Sequence, residues 1–253
     1  MITPRPVPLL GAAPARRNPW LNGRSLTATP ERHLYCFPHS GGLPGEYVRW
    51  GQYLRGTQVY AVCMPGRGSR AAEPALTDLD AVVRALLTET EFVAPYDLFG
   101  HSLGALVAYE VTRELAARGL PLPERLVVSA FPAPHLPRHG PQLSGLPDEE
   151  LIELLNERYG GIPPRTAADP DMVALLLPAF RADFALLETY RHRESGPLAV
   201  PLVVLGGEAD SVTPDQLDAW DRHSAVTVRR HAFSGGHFYF RDDMAPVAAV
   251  LAG

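Results

Sequence analysis

The stretch that most constrains this chain is Gly-His-Ser-Leu-Gly at residues 100–104, where an apolar run passes directly into a helical pattern. A backbone that turns from a strand straight into a helix brings neighbouring segments close to the residue at the apex. Glycine fits beside that apex because it has no Cβ. Gly100 and Gly104 flank Ser102 in the G-x-S-x-G pattern of a nucleophile elbow. The pattern predicts that Ser102 stands above the edge of a sheet as a candidate nucleophile.

The sequence on both sides of Ser102 has the strand and the helix that such an elbow requires. Apolar residues recur at helical spacing from Leu103 to Leu115, and Gly119 provides a stop. Strand-like runs alternate with helical runs along the rest of the chain, and the strand-like runs are 33–37, 59–64, 97–100, 126–131, 201–206 and 226–233. The helical runs are 46–54, 78–92 behind a Thr77 cap, and 103–118. This alternation predicts an α/β fold, with a mostly parallel sheet covered by helices on both faces.

The alternation breaks once, between Pro132 and Pro197, where a turn-rich stretch leads to helical patterns at 148–158 and 171–191. An insertion of about 60 residues after one strand of a sheet is typical of a lid. We therefore expect a helical lid at 134–196, inserted in a core formed by 29–133 and 197–253. Residues 1–28 are predicted to form an N-terminal extension with a short strand near Trp20.

Composition and charge argue against several classes of protein. A net charge of −5 and a pI near 6.0 are unfavourable for a general nucleic-acid binder. The sequence has no apolar run of about 18 residues and no charged segment followed by an apolar one at its start, so we predict neither a membrane span nor a signal peptide. Cys36 and Cys63 both lie in apolar strand-like runs. Two buried, reduced thiols suit a cytoplasmic protein.

A serine hydroxyl needs a base to remove its proton, and the base needs a carboxylate to hold its tautomer. The expected chain order for this elbow is serine, acid, histidine. His237 is the best-placed base because it lies in a glycine turn, Ser-Gly-Gly-His, after the last strand-like run. His231, inside a strand pattern, and His223, in a loop, are weaker candidates, and His101 should point away from Ser102.

The acid is expected in the loop after the strand-like run 201–206, which contains Glu208 and Asp210 before Thr213 and Pro214 open a helix. Asp210 is favoured because Glu208 directly follows a glycine pair, as a solvated turn residue often does. Glu208 remains the alternative.

The oxyanion that develops during acyl transfer needs backbone N–H donors already aimed at it. One donor is predicted to be Leu103, at the start of a helix, where the peptide dipoles also favour negative charge. The second is predicted to be Ser40, in the glycine-rich loop Pro-His-Ser-Gly-Gly-Leu-Pro-Gly at 38–45.

Three further patterns have competing interpretations. Apolar residues at helical spacing in the predicted lid form either plain packing or an acyl channel, and the candidate substrate-binding residues among them are Phe180, Phe184 and Leu187. His135 and His139 have the spacing of a metal pair, but Pro137 breaks the helix between them, so we expect no metal and no cofactor. Cys63 lacks elbow glycines and is predicted to be a core residue rather than a nucleophile.

Six segments together resemble the type II thioesterases that accompany polyketide and nonribosomal peptide synthetases: LYCFPHSGG (34–42), MPGRGSR (64–70), FGHSLGALVAYE (99–110), AFRADFALLETY (179–190), GGEADSVTP (206–214) and SGGHFYF (234–240). The resemblance covers residues 30–245. It implies an α/β-hydrolase fold with a helical lid. Carried over position by position, it gives Ser102, Asp210 and His237 as a catalytic triad.

The resemblance also implies an editing activity, in which aberrant or stalled acyl groups are hydrolysed from the phosphopantetheine arm of acyl or peptidyl carrier proteins. No nucleic acid or membrane partner is expected. Two alternatives stay open: a stand-alone esterase or acyltransferase acting on CoA or oxygen esters with the same triad, and, more remotely, a non-catalytic acyl-binding protein.

Overall fold

The computed structural model describes residues 18–24, 29–137, 142–159 and 169–253. This part of the chain forms one seven-stranded sheet. Its strands are β1 (Leu21–Gly23), β2 (Arg32–Phe37), β3 (Thr57–Val62), β4 (Tyr96–His101), β5 (Arg125–Ser129), β6 (Leu202–Gly207) and β7 (Val228–Phe233). The strand order is β1-β3-β2-β4-β5-β6-β7, and all neighbours are parallel except β1 and β3. The predicted α/β fold with a mostly parallel sheet is confirmed.

The helices of the described residues are α1 (Pro44–Val48), α2 (Leu79–Glu89), α3 (Leu103–Ala117), α4 (Asp148–Tyr159), α5 (Pro170–Thr189), α6 (Pro214–Asp218) and α7 (Ala245–Ala252). Two helical predictions need correction. The predicted helix 46–54 is the short α1 followed by a 3₁₀ turn, Arg49–Gln52. The predicted Thr77 cap of α2 is wrong, because Asp78 is the N-cap and its carboxylate accepts a hydrogen bond from the Ala81 N–H at 2.7 Å.

Alternate side chains of each strand face two separate cores. On one face, strand residues such as Leu98 and Val128 pack with α2 and α3. On the other face, strand residues such as Phe99 and Val127 pack with α1 and α7. Helices therefore cover both sides of the sheet, which leaves the carboxyl ends of the parallel strands as the open edge where ligands bind in such folds.

The strand expected near Trp20 is β1, which extends the sheet beyond β3. Trp20 is fully buried, and its carbonyl accepts a hydrogen bond from the Cys63 N–H at 2.8 Å. The Arg70 guanidinium lies 4.2 Å from the centre of the Trp20 ring. Cys36 and Cys63 are both buried free thiols, as predicted. No helix among the described residues is long and apolar enough to cross a membrane.

The segment between β5 and β6 contains α4 and α5, which match the helical patterns predicted at 148–158 and 171–191. Apolar residues of both helices, together with Leu143 before α4, form a third cluster, made of Leu143, Leu151, Leu155, Val173, Leu177, Phe180 and Phe184. Leu187 contacts both this cluster and the core on the α2 and α3 face of the sheet. The two helices therefore pack on each other, and α5 also packs on the core of the sheet through Leu186 and Leu187.

Candidate active site

Ser102 occupies the turn between β4 and α3 in a conformation that only glycine adopts freely. Its φ of 54° and ψ of −123° lie in a sparsely populated region for a residue with a side chain. Strain of this kind costs about 1–3 kcal/mol and persists where surrounding contacts fix the backbone. Here the Ser102 N–H donates to the Ser129 carbonyl at 2.8 Å, and the Ser102 carbonyl accepts from the Ala105 N–H at 2.9 Å.

The two glycines of the elbow are required by close backbone approaches. A Cβ on Gly100 would lie 2.1 Å from the Gly104 carbonyl oxygen, and one on Gly104 would lie 1.9 Å from the Phe37 carbonyl oxygen. Both obstacles are backbone atoms, which cannot rotate away as a side chain can. The start of α3 is therefore pressed against the ends of β4 and β2, and this packing holds Ser102 at the open edge of the sheet.

The structure brings His237 and Asp210 together at the same edge. Asp210 follows β6 and His237 follows β7, and the His237 Nδ1 lies 3.0 and 3.1 Å from the two carboxylate oxygens of Asp210. Their side chains are only 5% and 1% exposed. Gly207 allows the approach, because a Cβ there would lie 2.2 Å from the Gly236 carbonyl oxygen. With Nδ1 facing the carboxylate, Nε2 is the ring nitrogen on the opposite side.

Glu208, the alternative acid, is exposed and accepts a hydrogen bond from the Ser234 hydroxyl at 3.2 Å. Its carboxylate is thus occupied at the protein surface, while that of Asp210 is buried against the imidazole. The geometry favours Asp210 over Glu208 as the partner of His237.

The other candidate histidines have different surroundings. The His223 Nδ1 lies 2.8 Å from the Tyr109 hydroxyl and its Nε2 lies 2.7 Å from the His135 Nδ1. Burial lowers the pKa of His223 to about 3, which keeps that ring neutral. His231 lies on β7 and is partly exposed. Among the described residues, no group of three His, Cys, Asp or Glu side chains could hold a metal ion, and His139 lies outside those residues.

His101 lies beside His237, and His39 lies beside His101 and Phe238, an arrangement that the sequence patterns did not reveal. The His101 ring centre lies 5.0 Å from that of His237, and the His101 Nδ1 lies 2.8 Å from the Ser129 hydroxyl. The His39 ring centre is 4.7 Å from that of Phe238. Burial holds the pKa of both His101 and His39 well below the ordinary histidine value, with smaller contributions from neighbouring positive groups. The His101 ring therefore packs against His237 as a neutral group that adds no positive charge.

The loop at 38–43, the first part of the glycine-rich stretch 38–45, lies between β2 and α1 and contains the second predicted oxyanion donor. Ser40 is buried, the Gly42 N–H donates to the His39 carbonyl at 2.8 Å, and the Gly41 N–H donates to the Asp183 carboxylate at 2.8 Å. Within the described part of the chain, neither the Ser40 N–H nor the Leu103 N–H has a protein acceptor. Leu103 directly follows the candidate nucleophile, and the strand and loop that lead to Ser40 pack against the start of α3, since a Cβ on Gly104 would lie 2.7 Å from the Pro38 carbonyl oxygen.

The three predicted substrate-binding residues lie on α5 at different distances from this loop. Phe180 packs directly on Gly41, where a Cβ would lie 2.3 Å from the Phe180 ring. The rings of Phe180 and Phe184 are stacked with centres 6.3 Å apart, and each residue is 5% exposed. Leu187 is partly buried at the junction of two apolar clusters. Phe180 thus contacts the loop that contains Ser40.

Comparison with known proteins identifies the family. The family model described as "Thioesterase domain" matches residues 32–251. Linear gramicidin dehydrogenase LgrE of Brevibacillus parabrevis is 33% identical over 239 residues, which cover 92% of this chain and 90% of the relative. Thioesterase PikA5 of Streptomyces venezuelae is 35% identical over 217 residues, covering 83% of this chain and 75% of the relative.

Among solved structures, that of the type II thioesterase BorB from the borrelidin biosynthetic cluster matches with a TM-score of 0.84 and 35% identity, over 92% of this chain and 96% of BorB. LgrE has the name of a dehydrogenase, whereas the family model, PikA5 and BorB are described as thioesterases. The serine elbow beside a buried histidine–carboxylate pair agrees with the thioesterases. The chain belongs to the thioesterase family, as a type II thioesterase of the α/β-hydrolase fold, and is therefore an enzyme that hydrolyses thioesters.

Proposed function

We propose that this enzyme removes acyl groups from the phosphopantetheine arm of carrier proteins, through an acyl-enzyme formed on Ser102. The observation that carries the mechanism is the buried contact of Asp210 with the His237 Nδ1, at the sheet edge where the elbow presents the serine. A carboxylate in that position holds the imidazole tautomer whose Nε2 can accept a proton.

In the first half of the reaction the His237 Nε2 takes the proton of the Ser102 hydroxyl as the oxygen attacks the thioester carbonyl carbon. The carbonyl electron pair moves to the oxygen, which the Leu103 and Ser40 N–H groups stabilise. When the carbonyl re-forms, the C–S bond breaks, and the imidazolium gives its proton to the departing sulfur. The products of this half are the free thiol of the arm and an ester on Ser102.

In the second half, water replaces the serine hydroxyl as the nucleophile. His237 takes a proton from water, whose oxygen attacks the ester carbonyl carbon, and the same two N–H groups stabilise the second oxyanion. Collapse breaks the bond between the acyl carbon and the Ser102 oxygen, and that oxygen recovers the proton from His237. The carboxylic acid leaves and the enzyme returns to its starting state.

The biosynthetic context of the related proteins supports a carrier-bound substrate. BorB is described as coming from a biosynthetic cluster, and LgrE bears the name of linear gramicidin. The predicted lid at 134–196 supplies an apolar cluster next to the oxyanion loop, and we assign Phe180, Phe184 and Leu187 to the acyl side of the site. Each buried methylene contributes about 0.8 kcal/mol, so such a surface discriminates acyl length only modestly. Broad tolerance for short acyl groups suits an editing enzyme.

The acid assignment predicts unequal effects at two neighbouring carboxylates. Asp210→Asn should lower kcat by about 10²- to 10⁴-fold, because the amide no longer holds the reactive imidazole tautomer. Glu208→Gln is the matched control and should change kcat by less than about twofold, since its carboxylate lies at the surface. Thiol release from one acyl thioester measures both. The reverse ranking would move the acid to Glu208.

The substrate assignment predicts a preference for carrier-bound thioesters. For one short acyl group, kcat/KM should be about 10-fold or more higher on a carrier protein than on CoA, because the carrier surface adds contacts that contribute a further 1.4 kcal/mol or so. Parallel assays with the acyl group on the carrier, on CoA and on an oxygen ester measure the difference. If CoA or the oxygen ester equals the carrier, the enzyme is a general esterase or acyl-CoA hydrolase instead.

A further inference from the structure

A buried ion pair joins α5 to the loop that follows β3. The Arg67 Nη1 and Nη2 donate to the Asp183 Oδ2 and Oδ1 at 2.6 and 2.5 Å, in a bidentate arrangement. The two side chains are only 5% and 0% exposed. Such a geometry fixes the two planar groups relative to each other in both distance and direction.

The same carboxylate holds a third partner, which belongs to the candidate oxyanion loop. The Gly41 N–H donates to the Asp183 Oδ2 at 2.8 Å, and Gly41 follows Ser40 in the chain. Gly41 has a φ of 70°, a conformation available to glycine without strain. One helical turn before Asp183, the Phe180 ring covers the same glycine. α5 therefore contacts the loop by a charged hydrogen bond and an apolar contact at one residue.

A buried ion pair contributes little to the free energy of unfolding, because removing two charges from water costs about as much free energy as their attraction provides. This pair instead fixes the position of the Asp183 carboxylate. The Gly41 N–H belongs to the rigid peptide plane that also contains the Cα of Ser40, so the bond to Asp183 fixes that Cα and limits the movement of the Ser40 N–H attached next to it. The Asp183 carboxylate thus constrains the direction of the donor that we assign to the oxyanion.

We infer that Asp183, locked by Arg67, is a positioning residue that aims the Ser40 N–H at the oxyanion, so that the oxyanion hole is complete only while α5 is docked on the loop. This inference rests on the proposed function. It makes the predicted lid a part of the catalytic apparatus as well as a wall of the acyl site, because displacement of α5 would release the loop. Neither residue touches the substrate in this account.

The test separates transition-state stabilisation from substrate binding. The Asp183 carboxylate accepts three hydrogen bonds, two from Arg67 and one from Gly41. Asp183→Asn retains the side-chain shape and Arg67→Lys retains the charge, but each removes at least one of these hydrogen bonds. Both should lower kcat by about 10- to 100-fold, the scale expected when an oxyanion donor is misaligned. KM should stay within about twofold, because the ground-state carbonyl gains little from that donor. The Ki of an acyl trifluoromethyl ketone, which forms an oxyanion on the serine, should rise by the same factor as kcat falls.

The matched control is Asp148→Asn, which removes another ion pair of α5, that of Asp148 with Arg181, in which the carboxylate is exposed to solvent. It should leave kcat, KM and the ketone Ki within about twofold of the wild type. Thermal melting of all variants establishes that they are folded, and Arg67→Lys is the milder change should Asp183→Asn unfold. The inference is overturned if the folded variants keep the wild-type kcat, or if their KM rises by the same factor as their kcat falls. A wild-type enzyme that releases no thiol would instead refute the proposed function.

Discussion

Replacing Ser102 with alanine is expected to abolish thioester hydrolysis, with kcat falling by about 10⁴- to 10⁶-fold. The hydroxyl is the group that becomes acylated, and no neighbouring side chain in the elbow can replace it. The oxyanion donors and the substrate contacts stay in place, so binding should persist while turnover is lost.

The same variant should keep its fold. The Ser102 side chain makes no capping hydrogen bond to α3, and its backbone bonds to Ser129 and Ala105 do not depend on the hydroxyl. Alanine and serine also meet similar steric strain at a φ of 54°. Circular dichroism and thermal melting of the purified variant check this, and thiol release measures activity. Hydrolysis near the wild-type rate in a folded Ser102→Ala sample would remove Ser102 from the nucleophile role.

Replacing His237 with alanine is expected to cost nearly as much as the loss of the serine. Without the imidazole, nothing accepts the serine proton or protonates the leaving sulfur, and the Asp210 carboxylate is left buried without its partner. Because Ser102 and His237 act as a unit, the double variant should be hardly slower than either single variant.

His231→Ala is the control for this prediction, because His231 lies on β7 close in sequence to His237 but is partly exposed and takes no part in the proposed chemistry. Its kcat should remain within about twofold of the wild type. If the fold decrease in kcat of the Ser102 and His237 double variant equalled the product of the two single decreases, the two residues would act independently, contrary to the proposed mechanism.

The parts of the fold that depend on the backbone conformation of a few neighbouring residues could be predicted from the sequence. The glycines around Ser102 are required because an added Cβ would lie 2.1 or 1.9 Å from a backbone oxygen, and such requirements leave a short, fixed pattern in the chain. The alternation of strand-like and helical runs likewise follows from burial on both faces of a parallel sheet. Asp210 and His237 could be proposed because both follow strands whose carboxyl ends meet at one edge.

Other features depend on contacts between distant segments and had no local signal. α7 reads Ala-Pro-Val-Ala-Ala-Val-Leu-Ala, which lacks the polar face that marks a surface helix, and only its packing on the sheet defines it. Thr77 and Asp78 are adjacent residues that can both cap a helix, so the sequence alone does not show which of them is the N-cap of α2. Arg67 and Asp183 are 116 residues apart in the chain, and neither segment contains a pattern that identifies the other as its partner.

The most direct test of the central claim is the detection of the acyl-enzyme. The wild-type protein is mixed with an acyl thioester, quenched within the first turnover, digested and examined by peptide mass spectrometry, with Ser102→Ala treated in parallel. We expect the mass of the acyl group on the peptide that contains Ser102, formed together with an equivalent burst of thiol and absent from the variant. A burst of thiol with Ser102 unmodified, or the acyl group on another residue such as Cys63, would contradict the account.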